Sequence, residues 1–110
     1  PIALIKVYHQ IAQKLHALST DGSERAHDMI DLQVIVKNEK IDYPLTKNAC
    51  VRLFQFRRQQ SWPPKIVKGD GWDTLYSSQV SELDVFQNVD EAIAWTNDLI
   101  IAIENTGKIP

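Results

Sequence analysis

Apolar residues recur at steps of three and four along most of the chain, and this spacing constrains the fold more than any other feature. The first such stripe runs from Ile5 to Leu18, and the last runs from Val89 to Ile103. A period near 3.6 puts each stripe on one face of a helix, whereas half-buried strands would alternate. The sequence therefore predicts a mostly α fold, a compact helical domain of four to five helices, with Ile2 to Leu4 as a candidate extended lead-in.

Capping and turn residues set the expected limits of the first three helices. The stretch from Thr20 to Ser23 ends the first helix, and Ser23 is placed to cap a second helix that runs to Asn38. Only a short loop separates them, so we expect an antiparallel pair. Tyr43-Pro44 breaks the chain, and Thr46 is expected to cap a third helix that ends near Gln59.

The second half of the chain begins with a stretch that resists helix formation. Ser61-Trp62-Pro63-Pro64 must be extended, and Ile66 and Val67 are expected to form a brief strand before the turn at Gly69-Asp70-Gly71. A fourth helix is then predicted from Trp72 to Val80. Asn88, with Glu91 three residues later, predicts the start of a fifth helix that Gly107 ends.

Length and composition favour one domain over residues 1–110. The chain has 110 residues, 44% of them hydrophobic and 24% charged, and it has no linker or repeat that would divide it. The apolar run from Leu99 to Ile103 is too short to cross a bilayer, so no membrane partner is expected. A single cysteine, Cys50, fits a reducing compartment, and the cytoplasm is the predicted location. The first residue is Pro1 rather than Met, which indicates a processed product or a piece of a longer protein.

The formal charge of −2 hides a basic segment. Residues 47–68 carry six basic side chains and no acidic one, whereas residues 69–110 carry eight acidic side chains and one basic one. Arginines alternate with Phe54, Phe56 and Trp62 in this segment, as they do on surfaces that bind single-stranded RNA or tRNA. The alternative is a solvated helix face, with Leu53 and one or both phenylalanines in the core. The candidate substrate contacts are Arg57, Arg58 and Lys65.

A second group of charged residues lies on the first two predicted helices. Arg25, Asp28 and Asp31 are spaced three residues apart, and Lys14 lies at the edge of the first apolar stripe. If the helices pair, the lysine can approach the two carboxylates and form a site that handles phosphate. The alternative is a lysine whose stem packs on the core, beside an ion pair that only fastens the surface.

The other reactive side chains give weaker signals. His9 and His16 lie seven residues apart without a carboxylate or cysteine at ligand spacing, so no metal site is predicted. His27 either tunes the charge of neighbouring Asp28 or is solvated. Cys50 is expected to be a small core residue rather than a nucleophile. The sequence contains no glycine-rich phosphate loop and no nucleophile elbow.

Two consecutive motifs resemble those of a known enzyme family. Lys14-Leu15-His16-Ala17 is similar to a K-L-x-A helix, and the segment from Arg25 to Asp31 is similar to an R-x-x-D-x-x-D helix. Both belong to the C-terminal half of nucleotidyltransferases of the AbiEii/AbiGii toxin family, which acts in abortive infection and toxin–antitoxin systems. The stretch from Arg52 to Arg57 and Trp62-Pro63-Pro64 also resemble a subgroup of that family.

The resemblance implies transfer of a nucleoside monophosphate from a nucleoside triphosphate to tRNA or another RNA. Lys14 would contact the triphosphate, Asp28 or Asp31 would be the catalytic carboxylate, and Arg25 would support the site or contact phosphate. The family holds Mg²⁺ with a D-x-D pair in an N-terminal half, and no D-x-D occurs in this sequence. Mg²⁺ and nucleoside triphosphate are therefore expected only with that half, no cofactor is predicted for this chain alone, and the chain alone is expected to be inactive.

Two other interpretations stay open. The chain could be a non-catalytic helical module that binds RNA or a protein through residues 47–68. It could also complement a separately encoded N-terminal half, or bind an antitoxin or a second copy of itself.

Overall fold

A computed structural model describes residues 6–20, 25–58 and 60–106. This part of the chain forms five α helices and contains no strand, which confirms the predicted mostly α fold. The proposed lead-in from Ile2 to Leu4 lies outside the described residues. The helices are α1 (Val7–Ser19), α2 (Asp28–Asn38), α3 (Tyr43–Arg57), α4 (Trp72–Val80) and α5 (Val89–Glu104).

Helix α1 is central because it packs against both α2 and α3. Its apolar stripe places Ile11 and Leu15 completely out of solvent. Helix α5 closes the other side of the core through contacts with α2, α3 and α4. The predicted contact between the first two helices is therefore present, although α1 packs more extensively against α3.

The start of α2 differs from the prediction. The helix begins at Asp28, with His27 at the cap position, so it does not start directly after Ser23, which lies outside the described residues. Arg25, Ala26 and His27 form a turn in which their carbonyls accept from the amides three residues later. Arg25 is therefore on this turn rather than on the helix. On this helix Val34 is 42% exposed, whereas Leu32 and Gln33 are buried.

The start of α3 also lies earlier than predicted. Asp42 caps the helix by accepting from the Leu45 amide at 3.0 Å, and Thr46 is buried inside it. Pro44 stands in the first turn, where a missing N–H costs nothing because that donor has no partner in the helix. The prediction that Tyr43-Pro44 breaks the chain before the helix is therefore wrong. The helix ends at Arg57 because Arg58 adopts a left-handed conformation, with φ of 56°.

The brief strand expected at Ile66 and Val67 is not formed. The Asn97 side chain of α5 takes the place of a neighbouring strand: its Oδ1 accepts from the Ile66 amide at 2.8 Å, and its Nδ2 donates to the Ile66 carbonyl at 3.0 Å. A sheet needs a second backbone, and none of the described residues supplies one here. The prediction failed because a side-chain amide can satisfy both polar groups of one extended residue.

Helices α4 and α5 begin where the sequence predicts. Gly71 has φ of 79° before Trp72, and a Cβ at Gly69 would lie 2.7 Å from the Trp72 ring nitrogen, so this turn requires glycine at both positions. Asn88 caps α5 by accepting from the amides of Asp90 and Glu91. Helix α5 ends at Glu104, and the predicted stop at Gly107 lies outside the described residues.

Among the described helices, none combines the length and the apolar composition that crossing a bilayer requires.

Candidate functional site

Lys14 and the two aspartates of α2 meet between the first two helices. The Lys14 ammonium lies 2.9 Å from Asp31 Oδ2 and 3.3 Å from Asp28 Oδ1. Asp28 and Asp31 lie on the first turn of α2, where a three-residue step keeps both carboxylates on the side that faces α1. The approach of Lys14 to these carboxylates, expected from the spacing, is thus present in the structure.

Asp28 is the buried centre of this group. Its side chain is 1% exposed, and Oδ2 lies 3.2 Å from an Arg25 guanidinium nitrogen. His27 Nε2 lies 3.4 Å from Oδ1, on the same side as Lys14. Oδ2 is enclosed and has no well-directed hydrogen bond, so Arg25 neutralises it by proximity of charge. Removal of these cations would leave a buried carboxylate without a compensating charge, which is costly in free energy.

Asp31 and Lys14 form the part of the cluster that reaches solvent. The Asp31 side chain is 48% exposed, and that of Lys14 is 23% exposed. Partial burial by itself would lower the pKa of Lys14. The hydrogen bond to Asp31 and the charges of both aspartates outweigh burial and raise the pKa of Lys14 above its usual value. The lysine therefore presents a fixed positive charge at the surface at neutral pH.

This ion cluster, which consists of Lys14, Arg25, Asp28 and Asp31, pairs two cations with two carboxylates. The ammonium can donate to a phosphate oxygen while the carboxylates hold it in place. Both carboxylates are already paired with Lys14, so they are poor ligands for Mg²⁺. Within the described ranges, no group of three or more His, Cys, Asp or Glu residues is arranged to hold a metal ion. The described residues of the ion cluster are therefore not arranged as a site for a divalent metal ion.

The other predicted substrate contacts lie elsewhere. Arg57 Nη1 approaches His16 Nδ1 at 3.4 Å, on the side of α1 that packs against α3. Arg58 lines a groove of about 560 Å³ with Trp62. Lys65 lines a different groove, against α5. Of the four predicted substrate contacts, only Arg25 lies with Lys14, and the other three do not converge on it.

His16, which the sequence suggested only as a polar position on the first helix, is buried. It is 1% exposed, its ring lies 4.9 Å from that of Phe54, and its Nε2 has no hydrogen-bond partner among the described residues. Burial, reinforced by the charge of Arg57, lowers the pKa of His16. The sequence places His16 on a helix, but it does not show that the Phe54 ring of α3 packs against it. Only the fold reveals this contact.

The structure also shows where Cys50 and His9 lie. Cys50 is completely buried in α3, and burial raises its pKa to about 12, so the thiol is protonated and belongs to the core. His9 is exposed and packs beside the Tyr8 ring at 4.6 Å.

The sequence was compared with models of known protein families and with curated proteins, and neither comparison gives a match.

Proposed function

We propose that this chain is the C-terminal part of a nucleotidyltransferase of the AbiEii/AbiGii toxin type. The observation that supports the proposal best is the meeting of Lys14 with Asp28 and Asp31. These residues come from the two segments that resemble the family's motifs, and they lie 14 and 17 positions apart. Spacing alone does not require that a lysine in one motif contact both aspartates of the next.

In the proposed reaction, a hydroxyl oxygen of an RNA, such as tRNA, attacks the α-phosphorus of a nucleoside triphosphate. The bond from that phosphorus to the pyrophosphate oxygen breaks, and pyrophosphate leaves. Lys14 binds phosphate oxygens and offsets their charge, while Asp28 and Asp31 orient its ammonium. Asp28, buried and held by Arg25, is the positioning carboxylate, and Asp31 is the one that substrate can reach.

The remaining parts of the reaction belong to the N-terminal half that the family resemblance implies. Mg²⁺ held by the D-x-D carboxylates of that half would neutralise the phosphates. We assign no metal ligand and no proton transfer to this chain, and the proposal makes it inactive by itself. The partner that completes the site is an N-terminal half encoded upstream or separately. An antitoxin or a second copy of the chain is a further candidate partner, and the proposed location is the cytoplasm.

A titration with inorganic tripolyphosphate tests the anion-binding part of this proposal. Amide signals of the 110-residue chain are followed by ¹H–¹⁵N NMR as the anion is added. We expect shifts concentrated around Lys14, Arg25 and Asp31, and their loss in Lys14→Gln. The matched control is Lys37→Gln, which removes a lysine from the other end of α2, where it pairs with exposed Asp84. Equal shifts in wild type and Lys14→Gln would contradict the proposal.

A further inference from the structure

The outer face of α3 exposes an aromatic ring among arginines. Phe56 is 84% exposed, the largest value among the large hydrophobic residues of the described chain. The buried face of α3 is occupied by Thr46, Ala49, Cys50 and Phe54, and Phe56 is turned away from it. The chain then reverses at Arg58, and the ring stays open to solvent.

Three arginines neighbour Phe56 along the chain, and one of them, Arg57, also approaches His16 Nδ1 at 3.4 Å. Arg52 lies one turn before Phe56, on the same side of the helix, and Arg57 and Arg58 follow it directly; all three are exposed. Within the described part of the chain, none of the three arginines forms an ion pair with a carboxylate. Their charge is therefore available to a ligand.

The adjacent groove extends this surface around the helix. It has a volume of about 560 Å³, within the usual size range of ligand pockets, and Val51, Gln55, Arg58 and Trp62 contribute to its walls. One carboxylate, that of Glu104, contacts a residue that lines this groove. It accepts from the Trp62 indole nitrogen at 2.9 Å and faces Lys47 at 3.8 Å, so its charge is partly offset.

A ligand that matches this surface must offer both anionic groups and flat rings at short intervals. Single-stranded RNA does so, because its phosphates repeat along the strand and its unpaired bases expose their faces for stacking. A duplex would match the arginines but would keep its bases away from Phe56. An acidic protein partner could also cover an aromatic ring flanked by arginines, so binding of RNA has to be measured directly.

We propose that Phe56, Arg52, Arg57 and Arg58 form a docking surface for single-stranded RNA, with one base stacked on Phe56 and phosphates on the arginines. The assignment of this strand as the acceptor rests on the proposed function, whereas the binding itself does not. Lys14 faces α2 and His16 faces α3, so α1 separates this surface from the ion cluster. The acceptor would dock on one side of α1, and the triphosphate would bind on the other.

Binding of a fluorescein-labelled ten-nucleotide RNA of mixed sequence tests this proposal. Fluorescence anisotropy of the 110-residue chain is measured at 50 and 200 mM KCl. Three phosphate contacts predict a slope of log affinity against log salt near −2, or a loss of about 18-fold between these concentrations. Replacing Arg52 or Arg58 by Gln should reduce the slope by about 0.7 in each case.

Three substitutions at Phe56 separate stacking from general hydrophobic contact. Phe56→Ala should weaken binding by at least about fivefold, Phe56→Leu should weaken it similarly, and Phe56→Trp should retain it. The ring is exposed, so none of these changes should alter the circular dichroism spectrum. The matched controls are Ile101→Ala, an exposed apolar residue of α5, and Lys40→Gln, an exposed lysine outside this surface. Both should bind within twofold of wild type.

Absence of binding at 50 mM KCl would overturn this proposal. Wild-type affinity in Phe56→Ala would also overturn it. Wild-type affinity in Phe56→Leu would show that the RNA makes an apolar contact at position 56 and that no base stacks there. These outcomes are independent of the tripolyphosphate titration, which reports on Lys14. Failure of RNA docking is thus distinguishable from failure of the ion cluster.

Discussion

At the scale of single residues, the molecule depends on how it compensates the buried charge of Asp28. The carboxylate is excluded from solvent and faces Lys14 and Arg25. Sequence spacing predicted this group, because a three-residue step places Asp28 and Asp31 on one face of α2, and the turn before the helix still brings Arg25 to Asp28. Spacing could not predict that Asp28 is buried while Asp31 is half-exposed, since that depends on how closely α1 packs on α2.

Removing Lys14 should destabilise the fold through Asp28. We expect Lys14→Met to lower the free energy of unfolding by about 3 kcal/mol, because the buried carboxylate of Asp28 then loses the cation beside Oδ1 and keeps only Arg25 beside Oδ2. Adding Asp28→Asn to Lys14→Met should recover part of this loss. Urea denaturation checks both variants.

The control for that experiment is Lys37→Met, which removes a lysine paired with fully exposed Asp84 and should change stability little. If Lys14→Met were as mild as Lys37→Met, the Asp28 charge would not depend on Lys14.

His16 should make stability fall as pH decreases. Its folded pKa is lowered, so below the unfolded pKa of about 6.5 the unfolded chain binds a proton that the folded chain does not. The contribution of neutral His16 is fully present above pH 6.5 and is lost progressively as pH falls toward the folded pKa. Urea midpoints measured from pH 7.5 to 5 should show this decline.

The His16→Gln variant should lose the part of the pH dependence that comes from His16, even if its stability differs at neutral pH. The exposed His9→Gln variant should keep it. Identical pH profiles for wild type and His16→Gln would show that His16 does not titrate differently in the folded chain.

At the scale of elements, capping and turn residues predicted the starts of α4 and α5 correctly and the starts of α2 and α3 incorrectly. Asn88 is a strong cap because its side chain reaches two free amides, and the sequence shows it directly. Pro44 was misread because proline is compatible with a first helical turn as well as with a break. The strand at Ile66 was misread because its partner, Asn97, is a side chain 31 residues away.

Asn97 should therefore contribute more to the stability of the fold than a partly exposed side chain usually does. Asn97→Ala leaves the Ile66 amide and carbonyl without their partner, and we expect a loss of about 1–3 kcal/mol in the free energy of unfolding. Asn97→Asp keeps an acceptor for the amide and should lose less. Hydrogen exchange at the Ile66 amide gives the specific readout: it should accelerate in Asn97→Ala and stay slower in Asn97→Asp.

The exposed Asn48→Ala variant on α3 provides the comparison and should leave exchange at Ile66 unchanged. Unchanged exchange in Asn97→Ala would mean that the hydrogen bonds to Ile66 do not hold the segment.

At the scale of the whole molecule, the helices place two different surfaces on opposite sides of α1. The ion cluster lies against α2, and the face bearing Phe56 lies on α3. The sequence predicted the helical class and both groups of residues, because each group is local in sequence. The sequence did not show how the two groups lie relative to each other, and in the structure α1 separates Arg57 and Arg58 from Lys14. This separation depends on which helix faces pack against each other, and the spacing of apolar residues does not determine that packing.

The most direct test of the central claim is transfer of labelled nucleotide to RNA. The protein tested contains this chain and the proposed N-terminal half with D-x-D, encoded upstream or separately, and it is incubated with tRNA and α-³²P-labelled nucleoside triphosphates. We expect label on tRNA, a loss of about 100-fold or more in Lys14→Ala, and wild-type transfer in Lys37→Ala. The claim is contradicted if that protein transfers no label, or if folded Lys14→Ala transfers it at the wild-type rate.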